Sequence, residues 1–259
     1  MITDEELRQV YMKIVDLPDV IDGLLRQSSK VNKNYRIDGR IQTQILRGQA
    51  PRFWAGAPKA GCSRCMALFN DYDVIPKYCF DCYKITIEPR SVAELFKLLL
   101  VFERINLPQD NTRKCIVDNK ISSSVIYKGR VYCRGLQEAK ENHHLVREAV
   151  FDNISPDIKI GIQHGCAEYP DKYPEYAKID SGDDELKYDS NWQFYEDIVD
   201  RYWIFGGQVD TYDKDGKGTD PLRELFALQF WLRLAATRGD MSYLILTGGR
   251  ILKPLSTIT

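Results

Sequence analysis

The sequence predicts an α+β fold, and three observations carry that prediction. Apolar and polar residues alternate in short runs such as Tyr83-Lys84-Ile85-Thr86-Ile87-Glu88, the period-two mark of a half-buried strand. The patterns Thr3-x-x-Glu6 and Ser91-x-x-Glu94 are capping boxes, each opening a run with apolar residues at helical spacing. The two periods interleave through the middle of the chain instead of segregating into separate halves. With 259 residues, 44% hydrophobic and 28% charged, the chain can bury one large core or two smaller ones, which excludes disordered and fibrous classes.

From the N-terminus, Leu7, Val10, Tyr11, Ile14 and Val15 line one face of a helix over residues 4 to 16, stopped at Leu17-Pro18. A second short helix follows over Asp19 to Arg26, then a polar loop, Ser28 to Asn34. Tyr35 to Ala60 mixes Arg, Gln, Gly and Pro with isolated apolar residues and predicts irregular structure with one short helix near Ile41 to Arg47. After the first strand, Tyr83 to Glu88, the run Val92, Leu95, Phe96, Leu98, Leu99, Leu100, Phe102 makes a strongly apolar helix that ends before Pro108. Arg113 to Asp118 and Val125 to Arg134 are the next two strands. Leu136, Ala139, His143, Val146 and Val150 then mark one face of a helix, and Ile158, Ile160 and Ile162 alternate in a strand that runs to His164.

Strand, helix, strand, strand, helix, strand over residues 83 to 166 is the split βαβ order of ferredoxin-like folds. The alternation turns Ile85, Ile87, Val131, Cys133, Ile160 and Ile162 toward the helices. It turns Lys84, Thr86, Lys114, Arg130, Tyr132, Arg134, Lys159 and Gln163 to the opposite, basic face. Beyond the Pro-punctuated Tyr169 to Pro174, helices are expected over Trp192 to Phe205 and, after Asp220-Pro221, over Leu222 to Thr237; Tyr243 to Leu246 reads as a short strand or a last helical turn. Four regions result: a basic N-terminal segment (1–60), a cysteine module (61–82), the α+β unit (83–166) and an acidic, then aromatic-rich helical region (167–259).

The formal net charge is only -1, so the chain is not a globally basic nucleic-acid binder, but the charge is unevenly placed. Arg26 to Arg64 contains nine cations, among them Lys30, Lys33, Arg36 and Arg40, against the single acid Asp38. Glu168 to Asp200 reverses the balance, which suits repulsion of phosphate or docking within the chain. There is no run of 18 apolar residues and the start, Met1 to Glu6, is acidic, so no membrane span or secretory signal is expected and a cytoplasmic location is.

Cys62-Ser63-Arg64-Cys65 and Cys79-Phe80-Asp81-Cys82 are two Cys-x-x-Cys pairs separated by thirteen residues. Each pair bites from a tight turn, and four thiolates satisfy the tetrahedral preference of Zn²⁺ with no help from histidine. A closed site of this kind is structural, not catalytic. Because Cys82 runs directly into the first strand, the site is expected to clamp the basic N-terminal segment to the sheet. Cys115, Cys133 and Cys166 remain as thiols outside it, as an odd cysteine count in a reducing compartment allows.

Lys128-Gly129-Arg130-Val131-Tyr132-Cys133-Arg134-Gly135 resembles in part the longer signature of RNA-recognition-motif domains. Lys128, Gly129 and the aromatic Tyr132 match; Arg130 and Gly135 stand where two further aromatics belong, and the first strand carries no short signature. The resemblance implies RNA contacts from Arg130, Tyr132 and Arg134, with Tyr132 alone available for stacking. Asp213 to Thr219 is similar to the start of an EF-hand loop, with Glu224 at its last ligand position, but Lys217 occupies a ligand position and the stretch is read as a polar turn. His164 and Cys166 at a strand end, or Asp213 and Asp215, are the places where an unrecognised enzyme would act. No phosphate-loop, zinc-protease or nucleophile-elbow motif occurs, and the sequence leans away from catalysis.

The leading expectation is therefore a zinc-stabilised binding protein that presents the cysteine module and Lys30, Lys33, Arg36 and Arg40 to nucleic acid, RNA foremost. The competing expectation is an assembly subunit with purely structural zinc, docking a protein through Trp192, Trp203, Phe230 and Trp231.

Overall fold

The computed structural model describes residues 2–8, 40–45, 62–109, 111–118, 125–181, 186–205 and 221–252. Within them the fold is mixed α+β: an antiparallel sheet with helices packed on it. The strands are β1 (Arg40–Ile45), β2 (Cys82–Glu88), β3 (Arg113–Asp118), β4 (Tyr127–Arg134) and β5 (Lys159–His164). The helices are α1 (Cys62–Tyr72), α2 (Val92–Arg104), α3 (Gly135–Asn153), α4 (Trp192–Phe205), α5 (Pro221–Arg238) and the single turn α6 (Tyr243–Leu246). No described helix is long and apolar enough to cross a membrane.

The sheet order is β1-β3-β4-β2-β5, with every neighbouring pair antiparallel. Ile85 pairs with Val131 on one side and Ile162 on the other, so the apolar residues that alternate along three strands fall in one row. That row faces α2 and α3: Ile85, Ile87, Val131 and Cys133 are buried with Leu95, Phe96, Leu98 and Phe102 of α2 and Ala139, Val146 and Val150 of α3. Gly129 is part of this packing, because a Cβ there would run into Leu98 of α2 and crowd Ile87 and Phe102.

Both N-cap hydroxyls make the contact that the two patterns predict, while the Glu94 and Glu6 carboxylates turn to Arg90 and Arg104. The Ser91 hydroxyl accepts from Glu94 N–H at 3.2 Å, and the Thr3 hydroxyl accepts from Glu6 N–H at 3.1 Å, opening a helical stretch at residues 4–8. That stretch packs Ile2 and Leu7 into the main core and is tied to α2 by ion pairs Asp4–Lys97 and Glu6–Arg104. From the far end of the chain α5 enters the same core. Its Trp231 is fully buried, edge-on to Phe96 of α2 with ring centroids 5.7 Å apart.

Two local expectations resolve differently. Where a short helix was expected near Ile41 to Arg47, residues 40–45 form edge strand β1 beside β3. The run Arg40-Ile41-Gln42-Thr43-Gln44-Ile45 in fact has a period of two, and a β-branched residue at every second position suits a strand better than a helix. Tyr243–Leu246 takes the helical alternative.

Candidate functional site

The first cysteine pair does not sit in a tight turn. Cys62 and Cys65 lie in the first turn of α1, three residues apart. Cys79 closes a 3₁₀ turn, Lys77–Cys79, and Cys82 is the first residue of β2. Cys65 and Cys79 are buried in a second apolar cluster with Ile75, Tyr169 and Tyr176, and Cys166, Phe80 and Trp192 pack at its edge. The side chain of Cys62 is outside the described residues. Among the described residues no three of His, Cys, Asp and Glu are gathered as a metal-ligand group.

The segment after β5 closes over these thiols. Tyr169 Oη lies 3.2 Å from Cys79 Sγ, and Tyr176 Oη donates to the Cys79 carbonyl at 2.6 Å. Burial pushes both phenols far above the ordinary tyrosine range, and neighbouring thiols add to it: Cys79, Cys166 and Cys65 at Tyr169, and Cys79, Cys82 and Cys166 at Tyr176. Cys166 thus belongs to the same neighbourhood as the paired cysteines, although it comes from a different part of the chain. Gly165 makes this approach possible. It has φ of +53°, its N–H donates to the Cys82 carbonyl at 2.7 Å, and a Cβ would collide with the Tyr176 ring.

Arg64, between the first two cysteines, is only 1% exposed. Its Nε donates to Asp200 Oδ1 at 2.5 Å and its Nη2 to Glu196 Oε2 at 2.8 Å. Glu196 also accepts from the Lys77 N–H and from the Tyr188 hydroxyl. Burial opposes the charge on Arg64, but the hydrogen bonds to Asp200 and then Glu196 outweigh it and hold the guanidinium above its ordinary pKa. One end of the basic N-terminal run is therefore spent inside the protein, docked on the acidic region. The spacing of Glu196 and Asp200, one helical turn apart, is a signal for this that the sequence contained.

The residues expected to meet nucleic acid are placed as follows. Lys30, Lys33 and Arg36 lie outside the described residues; Arg40 begins β1, with its side chain not described. Arg134 is exposed and Arg130 half-buried. Tyr132 is only 5% exposed, with the ammonium groups of Lys84 and Lys114 at 5.8 and 5.4 Å from its ring centroid. By strand register Lys84, Lys114, Lys128, Arg130, Arg134 and Lys159 share the sheet face turned away from α2 and α3.

His164 and Cys166 have separate partners. The His164 ring is stacked between Tyr83 and Tyr176, with centroids 4.5 and 4.6 Å away, and its Nε2–H points to the Phe80 carbonyl at 2.9 Å. Cys166 Sγ instead meets the ammonium of Lys84 at 3.3 Å. Asp213, Asp215 and the rest of the EF-hand-like stretch lie outside the described residues. Of the four aromatic anchors, Trp231 is in the core, Trp192 and Phe230 are half-buried, and the side chain of Trp203 is not described. No protein-family model, curated protein or solved structure matches this chain.

Proposed function

We propose that this chain is a cytosolic, zinc-stabilised RNA-binding protein whose middle, residues 83 to 166, is a ferredoxin-like unit. The order β5-β2-β4-β3 with α2 and α3 on one face supports the ferredoxin-like reading, since the two βαβ crossovers interleave in that way. The observation that carries RNA binding is the sheet face shared by Lys114, Lys128, Arg130, Arg134 and Lys159; Lys84 has the same register but its ammonium is buried. Phosphate contacts from such a face supply affinity without sequence preference. Because the Tyr132 ring is buried between two ammonium groups, it orders the cations instead of stacking on a base.

Zinc fits the donor chemistry of Cys62, Cys65, Cys79 and Cys82, four soft thiol ligands with no histidine. Bound there, the ion would tie the first turn of α1 to the start of β2. Purification from cells tests both parts together. The protein is expected to carry stoichiometric zinc that Cys79→Ser removes, and to elute with nucleic acid that ribonuclease digests. A metal-free, nucleic-acid-free protein with no affinity for added RNA would end this reading.

A second reading, assembly with a protein partner, is favoured by one observation. Tyr72 of α1 and Phe194 and Tyr195 of α4 form an exposed aromatic cluster, with centroids 5.3 Å (Tyr72–Tyr195) and 5.4 Å (Phe194–Tyr195) apart and Phe194 65% exposed. A partner that co-purifies with the wild type and is lost from Phe194→Ala would favour assembly over RNA binding.

A further inference from the structure

Lys84 is a lysine on the second β-strand that is 1% exposed. Its ammonium is held by the Gly165 carbonyl at 2.8 Å and by Cys166 Sγ at 3.3 Å. The geometry is fixed from both sides. Tyr83 pairs with His164 at the end of β2 and β5, and the Gly165 N–H returns to the Cys82 carbonyl, so the turn that carries Cys166 cannot drift from Lys84 without breaking the ladder. Cys166 and Cys82 are half-buried, whereas Cys65, Cys79, Cys115 and Cys133 are fully buried. A small oxidant therefore meets Cys166 before those four, and the first nitrogen nucleophile the oxidised sulfur meets is Lys84.

We propose that Lys84 and Cys166 form a peroxide-sensitive modification site, in which a sulfenic acid on Cys166 is captured by the lysine nitrogen as a sulfur–nitrogen bond. In the first step the thiol attacks hydrogen peroxide: the O–O bond breaks, sulfur is oxidised by two electrons to Cys–S–OH, and one water leaves. In the second step Lys84 Nζ, having given up a proton, attacks the sulfur; the S–O bond breaks and the hydroxyl leaves with a second proton as water. Sulfenic acids condense with backbone nitrogen in the same way. The product is a sulfenamide that a thiol reductant cleaves back to lysine and cysteine. It bridges β2 to the turn after β5 and removes one ammonium from the sheet face. The site stands on its own geometry, whatever the face binds.

Peroxide treatment of the full chain, followed by digestion with trypsin under non-reducing conditions, tests it. The expected product is a reductant-sensitive pair of peptides, residues 78–90 and 160–172, joined with loss of about 2 Da and uncut after Lys84, because a modified lysine resists trypsin. A disulfide from Cys166 to Cys79 or Cys82 would give the same loss of mass but leave the cut after Lys84 open, and that result overturns the proposal. So would a stable sulfenic or sulfinic acid at Cys166 with no cross-link. Cys82→Ser should retain the bridge. Lys84→Arg should lose it and accumulate sulfenic acid that dimedone traps at Cys166. The wild-type peptide map decides the question even where a variant does not fold.

Discussion

Arg64 and Asp200 form a buried ion pair at 2.5 Å, joining the helix that opens with the first cysteine pair to the acidic C-terminal region. Glu196, one turn earlier on α4, completes the clamp at 2.8 Å. Removing the cation leaves two carboxylates facing each other away from water. Arg64→Ala should therefore lower stability by about 3–5 kcal/mol, and adding Glu196→Gln with Asp200→Asn should recover part of that loss. Urea unfolding of the three proteins measures it; equal stability of wild type and Arg64→Ala would show that the clamp does not hold the two regions together.

Gly165→Ala meets two costs at once, while Gly239→Ala meets one. Both glycines have positive φ, +53° and +75°, which an alanine adopts at a cost of about 1–2 kcal/mol. Only at Gly165 does the added methyl also strike Tyr176 and threaten its hydrogen bond to Cys79; nothing lies within 4 Å of the new atom at Gly239. Thermal melting should show the larger fall for Gly165→Ala. Equal falls would mean that the turn over the thiols yields easily.

Cys133, packed between β4 and α3, predicts a loss of stability in alkali. Burial pushes its thiol up to about 12 from 9.0, despite the opposing hydrogen bond from Asn142. The folded form holds its proton where the unfolded form has lost it. The contribution is complete below about pH 9 and declines as pH rises toward 12, at a limiting slope of about 1.4 kcal/mol per pH unit. The urea midpoint of the wild type should fall more steeply between pH 8.5 and about 10.5 than that of Cys133→Ala. Parallel curves would contradict the burial of this thiol.

The sheet and its two covering helices were legible because each element obeys a simple period. Ile85 and Ile87 alternate with Lys84 and Thr86, and the Ser91–Glu94 box marks the start of α2 to the residue. Arg40 to Ile45 was harder, since a six-residue edge strand rich in Arg and Gln has only two apolar side chains, Ile41 and Ile45, to carry the period. The contacts that build the site join residues far apart in sequence. Lys84 meets Cys166, Cys79 meets Tyr169, and Arg64 meets Asp200; apart from the one-turn spacing of Glu196 and Asp200, no local pattern marks such pairs, because they depend on how the segment after β5 folds back over α1. Sequence alternation placed Tyr132 on the basic face correctly but could not show that its ring is enclosed.

The salt dependence of RNA binding tests the central claim most directly. Fluorescence anisotropy with a labelled single-stranded RNA of about 20 nucleotides, titrated from low to high salt, should give a linear fall of log affinity with log salt. Arg130→Gln and Arg134→Gln should each weaken binding and flatten that slope by about 0.7, one phosphate contact apiece. Absence of binding at low salt, or a slope untouched by both substitutions, would contradict the assignment of this sheet face to RNA.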